Sequence, residues 1–194
     1  LVATVMSNLG LERHLEAQGI ALKRTPVGDR YVVEAMRAGS HNLGGEQSGH
    51  IILMDNAHAT GDGLRSAIFL IRAFLSSGRE TLAELAESIN KFPQVIASAD
   101  VAEKIDLDQL ESVTRVRTIL EESLPGLTRL SLRYSGTEPK VRLMLEADTR
   151  HTEAELAEKA YALCEAVQAA TNTPPGSRLE VLNVTRGGLI PRLQ

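Results

Sequence analysis

The chain has 194 residues, of which 43% are hydrophobic, with a net charge of −4, three Tyr, three Phe, no Trp and a single Cys. That length and apolar content support one or two domains with packed cores. The acidic balance and scarcity of aromatics exclude a nucleic-acid surface, which needs a basic face and stacking platforms, and one cysteine excludes an internal disulfide. No apolar run approaches the ~20 residues of a membrane span, and the first residues lack the basic start and cleavage site of a signal peptide. These features point to the cytoplasm.

In chain order, Leu1 to Met6 is apolar and β-branched enough for a buried strand, and its abrupt start implies a preceding element outside the chain. Ser7-Asn8-Leu9-Gly10 reads as a turn, Leu11 to Gln18 as a short helix closed by Gly19, and Ile20 to Lys23 as a second strand. The loop Thr25-Pro26-Val27-Gly28-Asp29-Arg30 leads into a helix from Tyr31 to Ala38; on the residues alone, Asp29 caps that helix and Arg30 faces solvent. Asn42-Leu43-Gly44-Gly45-Glu46-Gln47-Ser48-Gly49-His50 is a glycine-rich loop that enters a strand from Ile51 to Asp55. Asp62 caps a helix from Gly63 to Ser77 whose Leu64, Ala67, Ile68, Ile71, Phe74 and Leu75 form an apolar stripe. Alternating strands and helices imply an α/β layer with at least partly parallel strands, ending near Gly78.

Thr81-Leu82-Ala83-Glu84 is a capping box opening a further helix, and Pro93 stops it. Residues 79–94 read as a connector. The second unit follows as a strand from Gln94 to Ala99, a helix from Leu107 to Leu124, two strands around a turn, and a helix from Glu153 to about Ala170. That last helix opens with a capping box, Thr152 to Glu155, and carries the core stripe Leu156, Ala160, Leu163 and Val167. Cys164 lies beside the stripe with no activating cation or base near it in sequence, which makes it a packed residue and not a nucleophile. Beyond Ala170, Pro174-Pro175-Gly176 breaks the chain, Arg178 to Val184 has the composition of one more strand, and Arg186 to Arg192 is unlike a core element. The expected domains are thus 1–78, the connector 79–94, 95–170, and an extension 171–194 without assigned role.

Two stretches carry chemistry. Leu132-Arg133-Tyr134-Ser135-Gly136-Thr137-Glu138-Pro139-Lys140-Val141-Arg142 turns between two alternating strands. A positive φ at Gly136 would let successive backbone N–H groups converge on an anion, while Ser135 and Thr137 add hydroxyls and Arg133 and Arg142 add forked cations that match a phosphate. An ordinary hairpin with incidental arginines is the competing reading. The second stretch, Gly45 to His50, offers a carboxylate, a hydroxyl and an imidazole to a polyhydroxylated ligand. His50 is the residue suited to proton transfer near neutral pH, against a plain loop histidine; Glu46 binds sugar hydroxyls or serves as a loop acceptor. His14, His41, His58 and His151 read as solvated surface groups, and their spacing with Cys164 matches no zinc site.

Together the stretches resemble the phosphohexomutase superfamily, and within it the phosphoglucosamine mutase family. Its sugar loop, G-E-x-S-G-H, is matched by Gly45-Glu46-Gln47-Ser48-Gly49-His50, and its phosphate loop, R-x-S-G-T-E-P-x-x-R, from Arg133 to Arg142. The resemblance covers roughly residues 1 to 170. It implies most of a third, three-layer α/β domain, N-terminally truncated, followed by a smaller α+β domain resembling the TATA-binding protein with a strand-loop-strand phosphate site. It further implies a T-x-V-G-D-R loop, here including Gly28 and Asp29, beside the sugar phosphate. Tyr134 and Lys140 depart from the family's usual residues at variable positions, and Lys140 adds a cation.

Full-length members have four domains, with a phosphorylatable serine loop in the first and an Asp-rich magnesium loop in the second. Neither motif occurs here, so the resemblance implies an inactive C-terminal fragment whose Mg2+ ligands lie elsewhere. The implied activity interconverts glucosamine 6-phosphate and glucosamine 1-phosphate through a phosphoserine and a glucosamine 1,6-bisphosphate intermediate. The implied partners are a phosphosugar and the missing N-terminal domains, with a homodimer as one open arrangement. A mutase for another hexose phosphate and a non-catalytic phosphosugar-binding module are the alternatives.

Overall fold

A computed structural model describes residues 1–55 and 60–192; His58, expected at the surface, lies outside the described residues. Two compact units emerge, Leu1–Lys91 and Phe92–Gln194.

In the first unit, β1 (Val2–Thr4) is buried throughout. The Asn8 side chain accepts the N–H of Gly10 at 2.9 Å and caps α1 (Leu9–Glu16), so this helix starts two residues before its expected beginning and shortens the expected turn. Gly19 takes φ +72° beyond it. The next strand, β2 (Lys23–Thr25), runs later than the expected Ile20 to Lys23 because its pairing is fixed by β1, with Val2 opposite Lys23 and Thr4 opposite Thr25. Gly28, not Asp29, occupies the N-cap of α2 (Asp29–Ala38), and Asp29 instead accepts the N–H of Arg30 at 2.7 Å. The expected glycine-rich loop contains a strand, β3 (Leu43–Gly45), which pairs parallel to β1 and antiparallel to β4 (Ile51–Leu53). The sheet order is β2-β1-β3-β4, and Val2, Val32, Met36 and Ile52 form its small core.

The helix α3 (Gly63–Ser77) has its expected bounds: Asp62 accepts the N–H of Arg65 at 3.0 Å and Gly78 closes the helix with a left-handed φ of +69°. Its apolar stripe is not a core face here, since no residue of α3 is buried and Leu64 and Leu75 are 75% and 73% exposed. The connector helix α4 (Leu82–Ala86) is one short turn and a half; Thr81 accepts the N–H of Glu84, while Glu84 reaches the N–H of Glu80 rather than closing the box on Thr81.

The second unit contains β5 (Gln94–Asp100), a 3-10 turn (Leu107–Gln109), α5 (Glu111–Ser123), β6 (Leu127–Tyr134), β7 (Lys140–Ala147), α6 (Glu153–Ala170) and β8 (Leu179–Asn183). The expected helix from Leu107 to Leu124 is broken at Leu110, whose extended backbone (φ −87°, ψ 94°) separates the 3-10 turn from α5. The strands form an antiparallel sheet in the order β6-β7-β5-β8. Along β7, Val141, Leu143, Leu145 and Ala147 belong to the core shared with α5 and α6, and Lys140, Arg142, Met144 and Glu146 alternate onto the other face. Both halves of the Thr152/Glu155 capping box are formed, and Leu156, Ala160, Leu163 and Val167 are fully buried as their spacing predicts. Glu155 is held below the usual carboxylate range chiefly by the Thr152 N–H that it accepts. Cys164 is also fully buried, and burial pushes its thiol up to about 12, which agrees with a packed role.

The stretch read as an extension is partly integral to this unit. β8 pairs with β5 from Val95 opposite Asn183 to Ala99 opposite Leu179, with Val181 fully buried. The following tail turns at Gly187 and Gly188 and returns, with the Ile190 N–H bonded to Val181 O at 2.8 Å and the Tyr161 hydroxyl donating to Ile190 O at 2.8 Å. Arg192 pairs with Glu165 across the same surface.

Candidate functional site

The first unit gathers the sugar-loop residues at the β3–β4 hairpin. The Glu46 N–H donates to His50 O at 2.8 Å, the Gly49 N–H donates to Glu46 O at 3.1 Å, and Gly49 takes φ +105°, so the motif is a tight hairpin tip and not a floppy loop. The Glu46 side chain is only 10% exposed and turns back across the sheet, where Oε1 accepts the Gly28 N–H at 2.8 Å. Its Oε2 lies 3.7 Å from His50 Nδ1, and Ser48 Oγ lies 3.3 Å from the same nitrogen. Gly28, Gly45, Glu46, Ser48 and His50 are therefore brought into one cluster.

Asp29 is not drawn into that cluster, because its carboxylate turns onto its own helix start. Glu46 does two jobs at once: it stitches the Gly28 loop to the hairpin tip and presents a carboxylate beside the exposed His50 ring. This arrangement couples an imidazole, 60% exposed, to a nearly buried anion.

In the second unit the β6–β7 turn carries the other motif. Arg133 and Arg142 stand directly opposite each other in the antiparallel register, so both guanidiniums leave the same face of the sheet. Two like charges at that separation repel unless an anion lies between them. The turn is closed by the Ser135 N–H on Lys140 O at 2.8 Å and the Lys140 N–H on Glu138 O at 2.9 Å. Among the described residues, the N–H groups of Gly136, Thr137 and Glu138 donate to nothing, which leaves three consecutive donors at the tip. Gly136 does not adopt the positive φ expected of it; its value is open space, since no atom lies within 4 Å of where a Cβ would stand. Ser135 is 5% exposed, and Thr137 is exposed.

The sequence reading missed Glu138. Its carboxylate accepts from Lys140 Nζ at 2.8 Å and from an Arg142 terminal nitrogen at 2.8 Å, and those two hydrogen bonds, Lys140 first, hold it below the usual carboxylate range. Lys140 is thus occupied by Glu138, whereas Arg133 makes no ion pair with any described residue. A carboxylate on Arg142 competes with any incoming phosphate. Glu138→Gln is expected to tighten binding of inorganic phosphate by about threefold at neutral pH, measured by calorimetric titration. Weaker binding in the variant would mean that Glu138 orients Arg142 instead of competing for it. Because its acidity is enhanced in the folded state, the Glu138 contribution to turn stability is present above the unfolded carboxylate value and is lost as pH falls through its lowered one.

His14 bonds Gln18 at 2.7 Å on the surface, and His41 is half-buried. His151 is not a solvated group: its ring, 15% exposed, contacts Pro125 O at 2.9 Å and lies 3.6 Å from Glu155. Tyr134 points to the core face, where burial raises its phenol. Among the described residues no group of three or more His, Cys, Asp or Glu side chains is placed to hold a metal ion. No helix of the described residues is long and apolar enough to cross a membrane. A cleft of about 620 Å³ beside Tyr161, Thr173 and Arg192 includes none of the expected site residues.

Comparison with known proteins agrees with these features. The model for phosphoglucomutase/phosphomannomutase alpha/beta/alpha domain III matches residues 1–92, and that for the C-terminal domain matches residues 96–163. Phosphoglucosamine mutase of Bacillus pumilus is 48% identical over 150 residues, covering 77% of this chain and 33% of that protein. The Halalkalibacterium halodurans protein of the same name is 50% identical over 149 residues, again 77% of this chain and 33% of its own length. The chain therefore spans about a third of the length of these relatives. In fold, it superposes with a TM-score of 0.66 and 21% identity on a serine-to-alanine variant of an Aspergillus fumigatus N-acetylphosphoglucosamine mutase in complex with glucose 1,6-bisphosphate, covering 89% of this chain and 38% of that one. A Burkholderia thailandensis phosphoglucomutase/phosphomannomutase family protein gives a TM-score of 0.61 at 20% identity, covering 92% of this chain and 38% of the other. With both family domains matched in order, and with both motifs folded into tight, donor-rich tips, the chain belongs to the phosphoglucomutase/phosphomannomutase family, of which it carries domain III and the C-terminal domain.

Proposed function

We propose that this chain is the substrate-holding part of a phosphoglucosamine mutase, binding the sugar and the non-reacting phosphate while glucosamine 6-phosphate and glucosamine 1-phosphate interconvert through a 1,6-bisphosphate. The observation that carries the reading is the phosphate turn, where the opposed Arg133 and Arg142 sit beside three consecutive backbone donors without an acceptor among the described residues. Phosphoryl transfer depends mainly on position and charge, so a rigid cradle for one phosphate fixes where the other end of the sugar reacts. The turn recognises a phosphate and not a ring, and it serves either end of the sugar.

The Glu46–His50 cluster takes the ring. Glu46 accepts from a sugar hydroxyl with the lone pairs that Gly28 leaves free, Ser48 adds a donor, and His50 takes the proton of the attacking hydroxyl with Glu46 steadying the imidazolium. The reacting phosphoserine belongs to the part of the whole protein outside this chain. Cytoplasmic supply of amino-sugar precursors for cell walls is the corresponding role.

The test is an amide-resolved NMR titration with glucosamine 6-phosphate, beside inorganic phosphate and glucosamine. Gly136 and Thr137 are expected to shift with both phosphate compounds, and Gly45 to His50 only with the sugar phosphate. Amides at both tips that stay still in saturating sugar phosphate would overturn the reading. Turnover on the amino and hydroxy sugars, after adding the N-terminal portion of a relative, separates this mutase from one for another hexose phosphate.

A further inference from the structure

Lys104 stands outside both motifs, in the connection between β5 and the 3-10 turn, yet its ammonium donates to the backbone carbonyl of Ser135 at 2.6 Å. The same connection is tied to the far side of the turn by the Val101 N–H on Pro139 O at 2.9 Å. Among the described residues no carboxylate pairs with Lys104, so its charge is not cancelled by a direct partner.

We propose that Lys104 is a positioning residue of the phosphate turn, aiming the Gly136 N–H at the bound anion through the peptide unit that joins Ser135 to Gly136. The inference rests on the phosphate-holding role proposed above. A trans peptide is planar, and its C=O and N–H point in opposite directions. Holding the Ser135 carbonyl therefore fixes the direction of the Gly136 N–H. Among the described residues nothing else does so: Gly136 has no side chain, no neighbour within 4 Å of its Cβ position and no acceptor. Without the ammonium, this peptide is free to rotate away from the cradle.

The cation acts in a second way. A charge on the carbonyl oxygen polarises the peptide and makes its N–H a stronger donor, and it adds positive potential behind a site whose ligand is an anion. Lys104 reaches the turn from 31 residues away in sequence, so no motif spacing marks it.

The experiment titrates inorganic phosphate into the wild-type chain, K104M and K104R, following the Gly136 and Thr137 amides and the thermal midpoint. K104M is expected to bind about tenfold more weakly, with its ligand-free Gly136 amide displaced, its β5–β7 amides unmoved and its thermal midpoint nearly unchanged. K104R, which keeps a charged donor at that place, recovers most of the affinity. If wild type binds phosphate and K104M binds equally well, the Lys104 assignment is overturned while the phosphate turn stands. Equal loss in K104R and K104M, or a loss that simply follows a drop in thermal midpoint, also overturns it. Wild-type amides that ignore phosphate would remove both the turn's role and that of Lys104.

Discussion

Arg142→Ala weakens binding of inorganic phosphate by roughly tenfold to a hundredfold, since a charge-assisted hydrogen bond contributes about 1.5–3 kcal/mol. Arg133→Ala gives a loss of the same order, and the double variant falls below detection at millimolar ligand. The two substitutions differ in what they do to stability. Arg133 faces Arg142 across the β6–β7 ladder with no carboxylate partner among the described residues, so its removal relieves a like-charge pair and raises the thermal midpoint slightly. Removal of Arg142 also ends that repulsion but deprives Glu138 of one of its two cations, leaving the midpoint close to wild type. Affinity that falls while stability holds or rises is the signature of a site maintained against local repulsion for its ligand. If both variants instead melted early with affinity unchanged in the folded fraction, the arginines would be structural and the turn an ordinary hairpin. Calorimetry with phosphate and a thermal melt on each variant decide between these outcomes.

How far the sequence predicts this architecture depends on whether the determining interactions are local. The two ends of α3 and the start of α6 are set by caps within four residues, Asp62 and Gly78 for one and the Thr152/Glu155 box for the other, and both helices fall where the pattern places them. Burial is a different matter. An apolar stripe says which face of a helix seeks a partner and nothing about whether one is present, so the α6 stripe is buried while that of α3 is not. The strand β3 escapes a pattern reading because Leu43-Gly44-Gly45 has the composition of a loop. Gly44 is there for room: a Cβ would lie 2.5 Å from Met36 Sδ and 2.9 Å from Val32 Cγ1, so the approach of α2 to the sheet requires a residue with no side chain.

The place of β8 is equally remote from local pattern, since Leu179 to Asn183 pairs with Val95 to Ala99 some eighty positions earlier. At the site, the two motifs contain most of the chemistry in contiguous letters, and both fold into hairpin tips. Their supports come from elsewhere. The Gly28 N–H on Glu46 and the Lys104 ammonium on Ser135 O join segments 18 and 31 residues apart, and contacts of that kind leave no periodicity to read. Glu138 is legible as a letter of the motif, but its competition for Arg142 is a matter of geometry.

Two leucine truncations turn the contrast between the helices into a measurement. Leu163 of α6 is fully buried in the core of the second unit, so Leu163→Ala loses its transfer energy and leaves a cavity, at a cost of about 3 kcal/mol. Leu75, 73% exposed on α3, has little to lose, and Leu75→Ala changes stability by less than about 0.5 kcal/mol. The single cysteine supplies the readout. Cys164 follows Leu163 in α6, is fully buried, and has its thiol pushed up to about 12, so it reacts with a thiol reagent at neutral pH only when this core opens. Where closing outpaces labelling, the rate follows the open population, and a 3 kcal/mol loss raises it by roughly a hundredfold. Leu163→Ala is therefore expected to accelerate labelling by about that factor, and Leu75→Ala to leave the thermal midpoint nearly unchanged. Should Leu163→Ala leave labelling at the wild-type rate, or Leu75→Ala lower the midpoint by several degrees, burial would not be what separates the two stripes.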